Sequence, residues 1–280
     1  MRLLLYYSRI IIIVIFLIAS SIFGWKYYQF RKSINYNGPN FNVKDEILEC
    51  SVEDDEKALI KGVTAYDRED GDLTNQIIVE SISKFVDKKE HICNITYAVE
   101  DSACHVAKVS RKIKYVDYES PRFSLKEPLC FDVGSDTTVI DVLEAGDDVD
   151  GDISRKIKIL SNTTATSVAG QYTVTAQVTN SLGDTAKFKS LVVIKSRNNL
   201  SPNIILKRNI VYLNVGDTFK AKDYIDHVED SEGKQLKDIK VDVTNSNVNM
   251  KKPGFYSAEY TVNEGENNEN STYLTVIVEE

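Results

Sequence analysis

The sequence predicts an all-β protein, a series of tandem sandwiches carried behind a single N-terminal transmembrane helix. Three observations predict it. Residues 10–23 form an uncharged apolar run. The rest of the chain repeats itself about every 80 residues. Within each repeat, apolar and polar residues alternate with a period of two, which describes half-buried strands and not helices.

The apolar run comes first in the chain. Leu3, Leu4 and Leu5 precede it and Trp25 follows it. The stretch is therefore long enough to cross a hydrocarbon core about 30 Å thick, interrupted only by Arg9, which can snorkel to the headgroups. Tyr6, Tyr7, Trp25, Tyr27 and Tyr28 flank it as an interfacial aromatic belt would. Two readings compete. In one, residues 10–25 are an uncleaved signal-anchor between a short basic segment (residues 1–9) and a juxtamembrane linker (residues 26–37). In the other, a signal peptide is cut after Ser21, with Ala19 and Ser21 as the small residues of the cleavage site. The aromatic, basic segment WKYYQFRK favours the anchor. Both readings put the body outside the cytoplasm, and the anchor makes this a single-pass protein of the cell membrane with its C-terminal body extracellular.

Charge supports that division. The chain of 280 residues carries 34 Lys and Arg against 42 Asp and Glu, a net charge of −8. Five bases and no acid fall in residues 1–32, which leaves −13 on the remainder. Nucleic-acid binding driven by counterion release needs a basic face, so an acidic body excludes it.

The repeats begin at Pro39-Asn-Phe41-Asn-Val43, Pro121-Arg-Phe123-Ser-Leu125 and Pro202-Asn-Ile204-Ile-Leu206. An acidic turn follows, TAYDREDGDLTNQI from Thr64 and EAGDDVDGDISRKI from Glu144. These superimpose at an offset of 80 through Asp67/Asp147, Asp70/Asp150, Gly71/Gly151, Asp72/Asp152 and Ile77/Ile157. The third copy, IDHVEDSEGKQLKDI from Ile225, keeps only an acidic cluster before Gly233. Each repeat then closes in a strand pair. Tyr172, Val174, Ala176 and Val178 alternate with threonines and Gln177, and Cys93, Ile95, Tyr97 and Val99 alternate with Asn94, Thr96 and Ala98. About 80 residues of short strands and frequent turns fit a sandwich of immunoglobulin type. The expected domains are residues 38–117, 118–197 and 198–280. Short proline-bearing linkers suggest that the three stack as an extended rod.

These motifs resemble a bacterial immunoglobulin-like repeat, a domain of unknown function related to the Ig-like domain of pesticidal crystal proteins. The resemblance rests on Ala65-Tyr-Asp67-Arg-Glu-Asp70-Gly71-Asp72-Leu73-Thr74 and on Gly170-Gln-Tyr172-Thr-Val174 with Gly183 and Ala186. It covers residues 38–280, with two departures. Glu90-His91 stands where the family's Gly-x-Tyr begins, and the third copy lacks the intact turn. The resemblance implies surface modules serving as stalks or adhesion units.

Chemistry is sparse. Asp67, Asp70, Asp72, Asp147, Asp150 and Asp152 could gather oxygen ligands for calcium, the one cofactor the sequence offers. Their other reading is a solvated turn whose aspartates cap backbone N–H groups while Gly71 and Gly151 supply special φ/ψ. An EF-hand is excluded, because Gly71 at the sixth loop position puts Tyr66 at the first, and Gly151 puts Gly146 there. Cys50 and Cys93 share inward parity and form the candidate disulfide, against a reading as buried thiols. Cys104-His105 offers a nucleophile and a base on adjacent residues, which point to opposite faces of a strand. No HExxH, GxSxG or P-loop occurs. The expectation is a non-enzymatic, membrane-anchored rod used in adhesion or as a spacer. The alternative is a module that binds a cell-wall component, an extracellular protein or a glycan through the third domain, at the Asn-rich hairpin of residues 263–270.

Overall fold

The computed structural model describes residues 2–33, 38–196, 201–263 and 269–280. Its helix Arg2–Ser33 runs beyond the apolar core into the basic aromatic segment. Within it, Ile11–Gln29 is long and apolar enough to cross a membrane, and none of that window is buried by protein. At 1.5 Å per residue the window is about 28 Å long, close to the thickness of a hydrocarbon core. Such a helix is what an anchor or a signal peptide requires.

Each repeat pairs a three-stranded sheet with a four-stranded one. In repeat one the small sheet is Asn40–Val43, Val63–Asp67 and Gly71–Asp72, and the large sheet runs in the order Ile47–Cys50, Val106–Tyr115, Ile92–Glu100, Ile78–Ile82. Repeat two pairs Arg122–Leu125, Leu143–Asp147 and Gly151–Asp152 with the sheet Lys158–Asn162, Gly170–Thr179, Thr185–Lys195, Cys130–Asp132. Repeat three has Asn203–Leu206, Ile225–Glu229 and Gln235–Leu236 opposite Ile210–Asn214, Glu269–Glu279, Gly254–Asn263, Val241–Ser246. The connection is that of an Ig-like sandwich. A short strand crosses over to pair in parallel with the last strand, Cys130 beside Val193 and Ile210 beside Thr275. Alternation in the sequence becomes alternation in burial. Val174, Ala176 and Val178 are fully buried and Ala176 faces Phe188 across the hairpin. Burying a side chain such as Val or Phe contributes about 1.5–3 kcal/mol.

Repeats one and three use a buried tyrosine as a strut. The Tyr97 hydroxyl donates to the carbonyl of Leu59 at 2.7 Å, and that of Tyr260 donates to Ala221 at 2.8 Å. Arg111 is buried with its guanidinium 5.4 Å from the centre of the Tyr97 ring, and its Nε donates to the Tyr97 hydroxyl at 2.8 Å. Repeat two has Ala176 at the corresponding position, with Phe188 filling the space.

The chain divides into two compact units. One is Met1–Cys50, Asp54–Ile82 and Asn94–Lys114, and the other is Ser51–Glu53, Ser83–Cys93 and Tyr115–Glu280. Repeats two and three thus share the second unit, and within it they pack against each other. Ile210 and Ile277 of repeat three belong to the core cluster of repeat two. The Tyr212 hydroxyl accepts from the Phe123 N–H at 2.8 Å and donates to the Phe123 carbonyl at 3.1 Å. Asn209 Nδ2 donates to the carbonyls of Leu125 and Lys126, and Ser190 meets Thr275 in a buried hydroxyl pair at 2.8 Å. Burial raises the Tyr212 hydroxyl to a pKa of about 12. The physical reason for this packing is apolar surface. Repeat three carries Ile210 and Ile277 where a free-standing sandwich would meet water, and burying them together outweighs keeping the repeats apart.

Candidate functional site

The acidic turn is built the same way in repeats one and two. Each ends a strand of the small sheet, at Asp67 and Asp147, and returns through a two-residue strand that starts at a glycine. That glycine sits at φ 77° in Gly71 and 67° in Gly151, a region that favours residues without a Cβ. Asp67 Oδ1 accepts the N–H groups of Glu69 and Asp70 at 2.7 and 3.2 Å, and Asp147 Oδ1 accepts those of Val149 and Asp150 at 3.0 and 2.9 Å. Asp72 and Asp152 each accept the N–H two residues on, at 2.9 Å. Thr74 and Ser154 hold those two carboxyls below the usual aspartate range, by side-chain and then backbone hydrogen bonds.

The turn is then tied to the long hairpin of its own repeat. Asp70 accepts from the N–H and the hydroxyl of Ser102, both at 2.7 Å, and Asp150 accepts from the same groups of Ser181, at 2.8 and 2.6 Å. The hairpins correspond residue by residue. The N–H of Asp101 donates to the His105 carbonyl and that of Asn180 to the Asp184 carbonyl, and φ is positive at both Cys104 and Gly183.

The corner residue of that hairpin distinguishes the two sites. In repeat two it is Asn180, whose Nδ2 donates to Asp147 Oδ2 at 2.9 Å and to the Tyr118 hydroxyl at 2.8 Å. Tyr118 in turn donates to Asp184 at 2.9 Å, so each buried group has a partner. Burial, followed by the hydrogen bond to Asp184, raises the Tyr118 hydroxyl far above its ordinary value. In repeat one the corner is Asp101. It accepts the N–H groups of Ala103 and His105 and lies 2.8 Å from His105 Nδ1. Burial opposes ionisation of Asp101, but the His105 donors outweigh it and hold the carboxyl below its ordinary range.

The structure therefore brings Asp67 and Asp70 together, with Asp101 as a third carboxylate that the sequence candidates did not include. Oxygens of the three lie within 4.8 Å of one another. Asp67 and Asp101 are buried, Asp70 is exposed, and Asp67 Oδ2 is buried without a hydrogen-bond partner among the described residues. A depression of about 350 Å³, lined by Asp70, Leu73, Gln76, Glu100, Asp101 and Ser102, opens beside them. Asp72 is engaged with Thr74, and Asp152 with Ser154. Lys156 pairs with Asp150 at 2.6 Å. Asp101 carries a detectable signal in the sequence, because Asp101-Ser102 aligns with Asn180-Ser181 once the hairpins are shifted by one residue.

Cys50 and Cys93 are both buried but are not brought together. Their strands flank Val106–Tyr115 in the sheet. Two strand spacings of about 4.8 Å separate them, wider than a disulfide spans. At Cys104 the hydrogen bond and charge of Glu100 raise the thiol's pKa, the reverse of an activated nucleophile. Of the Asn-rich hairpin, residues 264–268 lie outside the described residues.

A family model for the Bacterial Ig-like domain (group 3) matches residues 212–278. No curated protein matches the chain. Similar solved structures include the CBM51-2 and INT domains of ZmpB from Clostridium perfringens in complex with GlcNAc, at 21% identity over 55% of this chain and 27% of that one, with a TM-score of 0.23. A protocadherin GammaB4 extracellular domain is 11% identical over 88% of this chain and 50% of that one, at 0.20. A lipoprotein from Bacteroides thetaiotaomicron is 10% identical over 55% and 98%, at 0.22. The chain spans about a quarter and a half of the lengths of the first two structures.

Proposed function

We propose that this chain is a non-enzymatic bacterial surface protein, anchored in the cell membrane by its N-terminal helix. Its three Ig-like domains, residues 38–117, 118–197 and 198–280, serve in adhesion or as a spacer. The observation that carries this reading is the pairing of one exposed apolar helix with a body made of sandwiches. The match to a bacterial Ig-like domain over residues 212–278 supports it. The packing of repeats two and three also bears on the role. Two domains joined by a shared core resist pulling and bending better than two joined by a linker alone, which suits a part that holds a shape under load.

Protease treatment of intact cells tests the topology. The body should be degraded while a cytosolic control survives. A body that stays protected along with that control would overturn the reading. N-terminal sequencing of the mature protein separates the anchor from a signal peptide cut after Ser21.

A further inference from the structure

We propose that Asp67, Asp70 and Asp101 of repeat one together bind one calcium ion, and that repeat two, built on the same turn, binds none. The proposal does not depend on the topology proposed above.

The feature that points to a ligand is the orphaned oxygen. Asp67 is 1% exposed, and its Oδ2 has no hydrogen-bond partner among the described residues. Its Oδ1 is taken up by the turn, as is that of Asp147. At Asp147 the second oxygen receives the Asn180 amide at 2.9 Å. Asp101 occupies that corner in repeat one, and a carboxylate there has no N–H to give. A buried, unpartnered carboxylate oxygen facing two more carboxylates is balanced by a cation. Repeat two has met the same need with an amide at Asp147 and with Lys156 at Asp150. Gln76 stands at the position of Lys156 in repeat one and brings no ammonium to Asp70.

The donor set selects the ion. Three carboxylates and no sulfur or imidazole nitrogen among the ligands describe a hard-cation site. Ligand oxygens that all lie within 4.8 Å of one another fit around an ion whose ligands stand about 2.4 Å away, the calcium distance. The carboxylates are also pinned, Asp70 by Ser102, Asp67 by its turn, and Asp101 by Ala103 and His105. Magnesium demands a near-ideal octahedron and keeps most of its water, whereas calcium accepts an irregular shell. The adjoining depression leaves room for the waters that complete that shell. His105, whose Nδ1 lies 2.8 Å from Asp101 Oδ2, orients a ligand in the manner of an outer-shell partner.

The test is equilibrium dialysis of the EDTA-stripped full chain, in detergent, against calcium chloride, with magnesium chloride in a parallel arm. Wild type should retain one calcium per chain, and an equal concentration of magnesium should not displace it. Asp101→Asn should lose the ion and keep a native near-UV spectrum. Asp70→Asn, at an exposed position and keeping one oxygen to accept from Ser102, should weaken binding at least tenfold, and Asp72→Asn should leave it unchanged. The proposal is overturned if wild type retains no calcium, if Asp101→Asn binds as much as wild type, or if magnesium competes equally.

Discussion

Residues 101 and 180 occupy the same corner of the same hairpin in two successive repeats, and they differ by one functional group. Both accept the backbone N–H of the residue four positions on, and both stand over a buried aspartate at the end of a small-sheet strand. The carboxamide of Asn180 completes a closed network, Asp147–Asn180–Tyr118–Asp184. The carboxylate of Asp101 leaves Asp67 with an oxygen unanswered. One scaffold thus supports a self-sufficient turn and a turn that asks for a cation. The choice lies in the corner residue, because the turns themselves are bonded alike.

Substitutions in either repeat should expose this difference. The largest effect is expected from Asn180→Asp. It removes the donor to both Asp147 and Tyr118 and places a second carboxylate in a buried site. Leaving those groups unpaired should cost about 3 kcal/mol in urea unfolding. An unchanged midpoint would show that the amide is not what closes repeat two.

A smaller effect separates the repeats at Lys156 and Gln76. Asp150 is held below the usual carboxyl range. Burial opposes this, but hydrogen bonds from Lys156 and Ser181 prevail. A group depressed on folding stabilises above its unfolded pKa of about 3.9, and that contribution disappears as pH falls through the folded value. Lys156→Gln should therefore lower stability at neutral pH by roughly 0.5 kcal/mol, since half of the lysine is exposed and screened. It should also flatten the loss of stability below pH 4. An acid limb as steep as wild type would assign that limb to carboxyls other than Asp150.

Much of this was legible in the chain, and for physical reasons. The 80-residue offset, the period-two alternation and the Asp-x-x-Asp-Gly-Asp turn are local patterns, so the sandwiches and the placement of Asp67 and Asp147 followed from them. Asp101 was harder to see, because it meets Asp67 only when a hairpin 34 residues on folds back. Its counterpart is an asparagine, so matching acidic residue to acidic residue passes over it. The shared core of repeats two and three was hidden for a related reason. Ile210, Tyr212 and Ile277 read as ordinary strand residues, and nothing local says which face of the sheet meets a neighbouring domain. The candidate Cys50–Cys93 pair shows the limit of parity. Equal parity puts two side chains on one face of a sheet but does not say how many strands lie between them.

The corner residue sets the two repeats apart, and thermal melting in EDTA tests this most directly. With no cation present, Asp101→Asn should melt higher than wild type, because an amide at that corner can donate to Asp67 Oδ2 as Asn180 does to Asp147. Asn180→Asp, measured in the same buffer, should melt lower. Shifts of opposite sign are the predicted result. If both substitutions lower the melting temperature, the orphaned oxygen of Asp67 is not what sets repeat one apart.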